Sequence, residues 1–128
     1  RDINIDKCSL YGCGTYGITA TDSAGITVEN TEIYECTYGL FELSGCDGIK
    51  FNGCTFRDSG MFSMFVLDGC NGVSVTNSKI KNNSSSEDSY FISAYNCSDI
   101  EFSGCDFSNN SYYNFCSGDA VKFIGCKL

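Results

Sequence analysis

Apolar residues recur along the chain in one short figure, apolar-x-apolar-x-x-small-x-apolar, which appears six times without a gap. Its leading positions are Ile3, Ile26, Ile49, Val73, Ile100 and Val121, spaced by 23, 23, 24, 27 and 21 residues. The second apolar column is Ile5, Val28, Phe51, Val75, Phe102 and Phe123. The small column is Cys8, Thr31, Cys54, Ser78, Cys105 and Cys126. The last apolar column is Leu10, Ile33, Phe56, Ile80, Phe107 and Leu128. Three residues before each later leading position lies another small residue: Ser23, Cys46, Cys70, Cys97 and Gly118. Counting back five and three from these gives Ile18, Phe41, Phe65, Ile92, Tyr113 and then Ala20, Leu43, Leu67, Ala94, Phe115. Each copy thus reads as three short strands of period two, separated by Gly, Asn, Asp or Ser turns.

Three short strands cannot bury their own inward face. Copies stacked at about 4.8 Å per coil bury it together in one continuous core. Helical repeats would show apolar spacings of three and four, and these copies do not. The pattern predicts an all-β chain: a parallel β-helix, or solenoid, of about five to six coils of roughly 23 residues, three strands to the coil. The general preference for right-handed crossovers predicts its hand. The figure is already under way at one end of the sequence and still running at the other, which predicts that 1–128 is one segment of a longer β-helix, or is capped by oligomerisation.

The repeats GITVENTEIYEC, GIKFNGCTF, GVSVTNSKIKNN and IEFSGCDFSNN resemble those of the pectate-lyase-like right-handed β-helix superfamily, especially the generic parallel β-helix repeats of bacterial secreted and surface proteins. The resemblance runs the whole length of the chain. It implies the fold, an extracellular or bacterial cell-surface location, and carbohydrate as the ligand class. It does not choose between lyases, hydrolases, adhesins and plain spacers, since one fold hosts many functions.

Composition narrows the partners. The chain has 128 residues, 8 basic and 16 acidic, for a net charge of −8. A nucleic-acid binder needs a basic footprint, which is missing. No apolar run is long enough to span a bilayer, so membrane insertion is not expected. The expected partners are a polysaccharide, the remainder of a longer chain, or further copies joined through an apolar stripe or open coil ends.

Ten cysteines in a short chain suggest either a disulfide framework or a metal site. There is no CxxC and no His, so no metal site is expected. Most cysteines fall in columns that hold Ser, Thr or Gly elsewhere, which predicts stacked free thiols in small buried slots. Cys116, between Phe115 and Ser117, is expected to point outward as the reactive thiol. The stacked phenylalanines are expected to be core. The Ser-rich stretch Lys81–Tyr90 lengthens one copy and is expected to protrude as a loop. Asn82, Asn83, Asn96 and Asn109 each begin an N-x-S pattern, which fits glycosylation or a turn-side Asn equally.

A glycosidase needs clustered carboxylates; a polysaccharide lyase adds carboxylate-held Ca²⁺ and a basic residue. Glu42 and Asp68 fall at diagonal outward positions in adjacent coils and are the best two-carboxylate candidate, with Thr19, Thr21 and Ser93 on the same face. They have no basic neighbour: Arg57 falls on another face, and the only other arginine is Arg1. The turn group Glu29, Glu32, Glu35 is a weak version of a Ca²⁺ cluster. The columns Ser9–Glu32–Thr55–Lys79–Asp106–Lys127 and Asn4–Thr27–Lys50–Ser74–Glu101–Lys122 read as solvated charge ladders. A regular Thr-x-Thr ice-binding face is missing, since only Thr19–Thr21 fits. One column counted as outward is apolar: Leu40, Met64, Phe91 and Tyr112, with Val66 and Tyr95 beside it. An exposed stripe of this kind calls for a cover. It predicts a packing surface or a platform for sugar rings, with Leu40, Met64, Phe91, Tyr95 and Tyr112 as ligand contacts. The leading expectation is a non-catalytic structural or glycan-contacting module; the alternative is a fragment of a polysaccharide lyase or glycoside hydrolase.

Overall fold

The computed structural model describes residues 2–128; Arg1 lies outside them. Coil one holds β1 (Ile3–Asp6), β2 (Ser9–Tyr11) and β3 (Tyr16–Thr21). Coil two holds β4 (Ile26–Glu29), β5 (Glu32–Tyr34) and β6 (Gly39–Ser44). Coil three holds β7 (Asp47–Asn52), β8 (Thr55–Arg57), β9 (Gly60–Met61) and β10 (Phe65–Asp68). Coil four holds β11 (Asn71–Thr76), β12 (Lys79–Lys81), β13 (Ser84–Ser85) and β14 (Tyr90–Tyr95). Then come β15 (Ser98–Ser103), β16 (Asn114–Ser117) and β17 (Val121–Ile124). No helix occurs among the described residues, so none there could cross a membrane.

Like strands of successive coils pair in parallel into three long sheets. The first runs β1-β4-β7-β11-β15-β17, the second β2-β5-β8-β12 and the third β3-β6-β10-β14-β16; β9 and β13 form a small fourth. Pairing follows the predicted columns: Ile3 sits opposite Ile26, Val28 opposite Phe51, and Phe102 between Val75 and Phe123. Both charge ladders stack as read, from Ser9–Glu32 through Asp106–Lys127 on one face and from Asn4–Thr27 through Glu101–Lys122 on another.

Corners turn on one left-handed residue. Between the first and second sheets coil one uses Lys7 (φ 56°), and from coil two onward these are Asn30, Gly53, Asn77, Gly104 and Gly125, with φ of 50°, 64°, 49°, 64° and 60°. Asn and Gly are the residues that enter this region at least cost. The residue after each turns inward and is the small column. Its hydroxyl or thiol donates to the carbonyl two residues back, as in Thr31 to Glu29 (2.8 Å), Ser78 to Thr76 (2.9 Å) and Cys54 to Asn52 (3.6 Å). The slot therefore takes Ser, Thr or Cys because each is small and each carries a donor.

The core is one aromatic run along the axis. Phe41 stacks on Phe51 at 4.5 Å and meets Phe65 at 4.8 Å; Phe65 meets Phe102 at 5.5 Å, and Phe102 stacks on Phe123 at 5.6 Å. All ten cysteines are free, and most lie buried or half-buried in their columns; Cys8 alone is exposed. The Cys70 amide donates to the sulfur of Cys97, one coil on, at 3.5 Å.

Three expectations need correction. First, little of Lys81–Tyr90 protrudes. Ser84–Ser85 pairs in register with Gly60–Met61, and only the turn at Ser86–Ser89 holds extra residues, closed by a Ser89 amide to Ser86 carbonyl bond of 3.1 Å. Second, Tyr113 is exposed rather than inward, because β16 pairs Ile92 with Cys116 and Ser93 with Ser117. The offset there is 24 residues, but Ile100 pairs with Val121 at an offset of 21. Three residues are missing from that corner, so columns counted back from Val121 come out three places early. Third, Cys116 accordingly sits inward, half-buried against the core, and burial raises its thiol pKa; it is not the reactive thiol.

Candidate functional site

The predicted apolar stripe is inside the molecule. Leu40, Met64 and Phe91 are each 0% exposed. Strict alternation fails at the bend that opens each third-sheet strand, where two successive side chains face inward: Leu40 with Phe41, Met64 with Phe65, Phe91 with Ile92. The bend shows in the hydrogen bonds, since the amides of both Leu40 and Phe41 donate to the Met64 carbonyl. In coil one the same place is Gly17, where a Cβ would lie 2.2 Å from Ile33. Tyr112 is part exposed, with its ring against Phe91 (5.3 Å) and Phe115 (5.1 Å). Tyr95 alone of the five is largely free, at 67% exposure.

Beyond the bend, the third sheet turns two columns outward: Thr19–Glu42–Val66–Ser93 and Thr21–Ser44–Asp68–Tyr95. Glu42 lies between Thr19 and Val66, and Asp68 between Ser44 and Tyr95. The two carboxylates are therefore diagonal neighbours, roughly 7–8 Å apart at the backbone. The register brings Asp68 and Tyr95 directly side by side.

Arg57 is engaged elsewhere. Its Nε donates to Glu32 at 3.1 Å, another nitrogen pairs with Asp58, and the guanidinium lies 4.0 Å from the Tyr34 ring centre. Tyr34 in turn stacks on Tyr11 at 4.9 Å. Among the described residues no group of three or more His, Cys, Asp or Glu is placed to hold a metal ion, and Glu29, Glu32 and Glu35 do not form one. Asp106, partly exposed, is held below the ordinary carboxylate range by the Ser108 hydroxyl and amide, at 2.6 and 2.9 Å, with Lys127 and Lys79 adding to the effect.

Two features escaped the pattern. An internal polar ladder fills a corner beside the second sheet. The Cys36 amide donates to the Ser59 hydroxyl, the Ser59 amide to Asn83 Oδ1, and the Asn83 amide to Asn110 Oδ1, each at 3.1 Å. Asn83 also donates to the Phe56 carbonyl at 3.2 Å and is buried, which removes it as a glycosylation acceptor. Asn82, Asn96 and Asn109 are left-handed turn residues. The second feature is the three-residue gap in the last coil. It leaves an open cavity of about 490 Å³ lined by Cys97, Asn96, Asp99, Asp119 and Lys122 among others.

Parallel coils of about 24 residues, a stacked aromatic core and outward charge ladders define a β-solenoid protein. The chain belongs to the right-handed β-helix family, whose model, described as "Right handed beta helix region", matches residues 1–128. No curated protein matches it. Among solved structures it is similar to a crystal structure from Parabacteroides merdae ATCC 43184, described provisionally as a glycosyl hydrolase. That similarity has a TM-score of 0.52 at 16% identity and covers 80% of this chain. The chain spans 60% of that protein's length. At this identity the likeness supports the fold.

Proposed function

We propose that this segment is a non-catalytic β-helix scaffold, extracellular or on a bacterial cell surface, that contacts glycans through the outer face of its third sheet. The observation that carries the reading is Asp68 beside the exposed Tyr95 ring, with Glu42, Ser44 and Ser93 around them. An aromatic ring offers its face to the C–H side of a sugar, and neighbouring carboxylates and hydroxyls bond its hydroxyls. No Arg or Lys stands beside the two acids in either column, which favours contact over cleavage. Coil ends are further places for the remainder of a longer chain or another copy to dock.

The alternative is a glycoside hydrolase or polysaccharide lyase segment, favoured by the diagonal Glu42–Asp68 pair; a lyase would add Ca²⁺. A panel of neutral and acidic polysaccharides, with and without Ca²⁺, scored for binding and for new chain ends, separates the two. Binding without new ends, weakened about fivefold by Tyr95→Ala, supports the scaffold. New ends that disappear with Glu42→Ala or Asp68→Ala overturn it in favour of the enzyme.

A further inference from the structure

The exposed aromatic surface lies one step before the buried stripe, at the corner leading into the third sheet. Tyr16 and Tyr38 have ring centres 6.2 Å apart and planes at 73°; Tyr38 and Phe62 are 5.0 Å apart at 56°. Tyr38 and Phe62 are 38% and 40% exposed. Gly39 makes this grouping possible, since a Cβ there would lie 2.8 Å from the Tyr16 ring and 2.1 Å from the Ser63 carbonyl oxygen. Glu42 follows on the same outer face, opposite Thr19. It is near enough that its charge, after burial, helps to raise the Tyr16 phenol pKa.

Rings set at steep angles do not make the flat platform that a pyranose stacks on. They make walls, and the faces of such walls attract cations. The chain shows the same chemistry one column away, where Arg57 lies on Tyr34 with Glu32 and Asp58 holding its nitrogens. At Tyr16–Tyr38–Phe62 the rings and the carboxylate are present, and among the described residues no Lys or Arg pairs with Glu42, since the ion pairs there are those of Arg57. The surroundings are acidic over several coils. Glu35 stands a few residues upstream, its amide bonding the Asp58 carbonyl, while the Asp58 carboxylate is taken up by Arg57. Glu87 and Asp88 lie in the turn whose Ser86 amide bonds Met61. A row of acids suits a ligand with several positive charges, and the net charge of −8 draws it in.

We propose that the corner formed by Tyr16, Tyr38, Phe62 and Glu42 binds a basic peptide segment, seating one Arg or Lys side chain against the three rings. The site shares Glu42 with the Asp68–Tyr95 surface but none of its aromatic rings, so the Tyr38 and Tyr95 variants let either assignment fail alone.

Calorimetric titration of the folded chain with a tetra-arginine peptide tests it. Tyr38→Ala should weaken binding about fivefold or more and Tyr38→Phe by less than about twofold, because the ring face is what matters. Glu42→Gln should weaken it about fivefold, whereas Glu101→Gln, the same charge change on the first sheet, should leave it within about twofold. Tyr95→Ala should leave it unchanged. Choline chloride should displace the peptide more strongly than sodium chloride of equal ionic strength. Equal losses for Glu42→Gln and Glu101→Gln, or equal displacement by the two salts, would reduce the effect to diffuse charge and overturn the proposal. So would an absence of binding, or Tyr38→Ala binding as tightly as the native chain while circular dichroism shows it folded.

Discussion

A thiol and a hydroxyl occupy the same corner slots because both are small and both can donate to a carbonyl two residues back. That equivalence is visible in the sequence as a column where Cys, Ser and Thr exchange. The ionisation of the thiols is not visible there, since it depends on burial. Burial lifts Cys36 from 9.0 to about 11, with the neighbouring Cys13 thiol adding to it. Cys105 is likewise pushed to about 11, mainly by burial. A raised folded-state pKa stabilises below the unfolded value and loses that contribution as pH rises through the folded one. Unfolding free energy should therefore decline between pH 9 and about 11, as measured by urea denaturation. A plateau across that window would contradict the burial of these thiols. In the folded chain at neutral pH, iodoacetamide should label exposed Cys8 ahead of Cys36, Cys105 and Cys116.

At the scale of the element, the strands were legible and the bends were not. Period-two alternation is a rule about a straight strand. It holds through Phe41, Leu43 and Phe65, Leu67, and breaks just before them, where Leu40 and Met64 also turn inward. Glu42 and Asp68 lie within the straight part, so their diagonal placement could be counted from the letters; Tyr38 and Phe62 lie on the bend, so it could not. The asparagine ladder illustrates the same limit. Asn83 reads as a surface turn residue, yet it is enclosed and bonds the Ser59 amide and the Phe56 carbonyl. Asn83→Ala would leave both without a partner, each costing about 1–3 kcal/mol. The expected loss is about 2–6 kcal/mol, read as a lower urea midpoint at an unchanged slope; a loss below about 0.5 kcal/mol would mean the ladder is not closed.

Across the whole molecule, each coil touches mainly the coils above and below it, so stability is distributed along the axis. Phe65 lies mid-stack, fully buried, with Phe41, Phe56, Phe91 and Phe102 around it. Phe123 is half-buried in the last described coil. Phe65→Ala should cost about 3–5 kcal/mol and Phe123→Ala about 1–2 kcal/mol, in thermal or urea unfolding. Equal costs would argue that the stack melts as a single unit indifferent to position.

The parallel coil and all but the last of its stacking columns were determined by the sequence alone, because one short figure repeated in register leaves few ways to bury its apolar side. The tertiary structure decided which side chains face water at the corners. A bend re-aims two neighbours at once, a three-residue insertion at Ser86–Ser89 and a three-residue gap before Val121 shift the register locally, and a missing Cβ at Gly39 lets three rings from successive coils meet. Each is a property of chain direction at one point in space, and no periodicity along the letters encodes it.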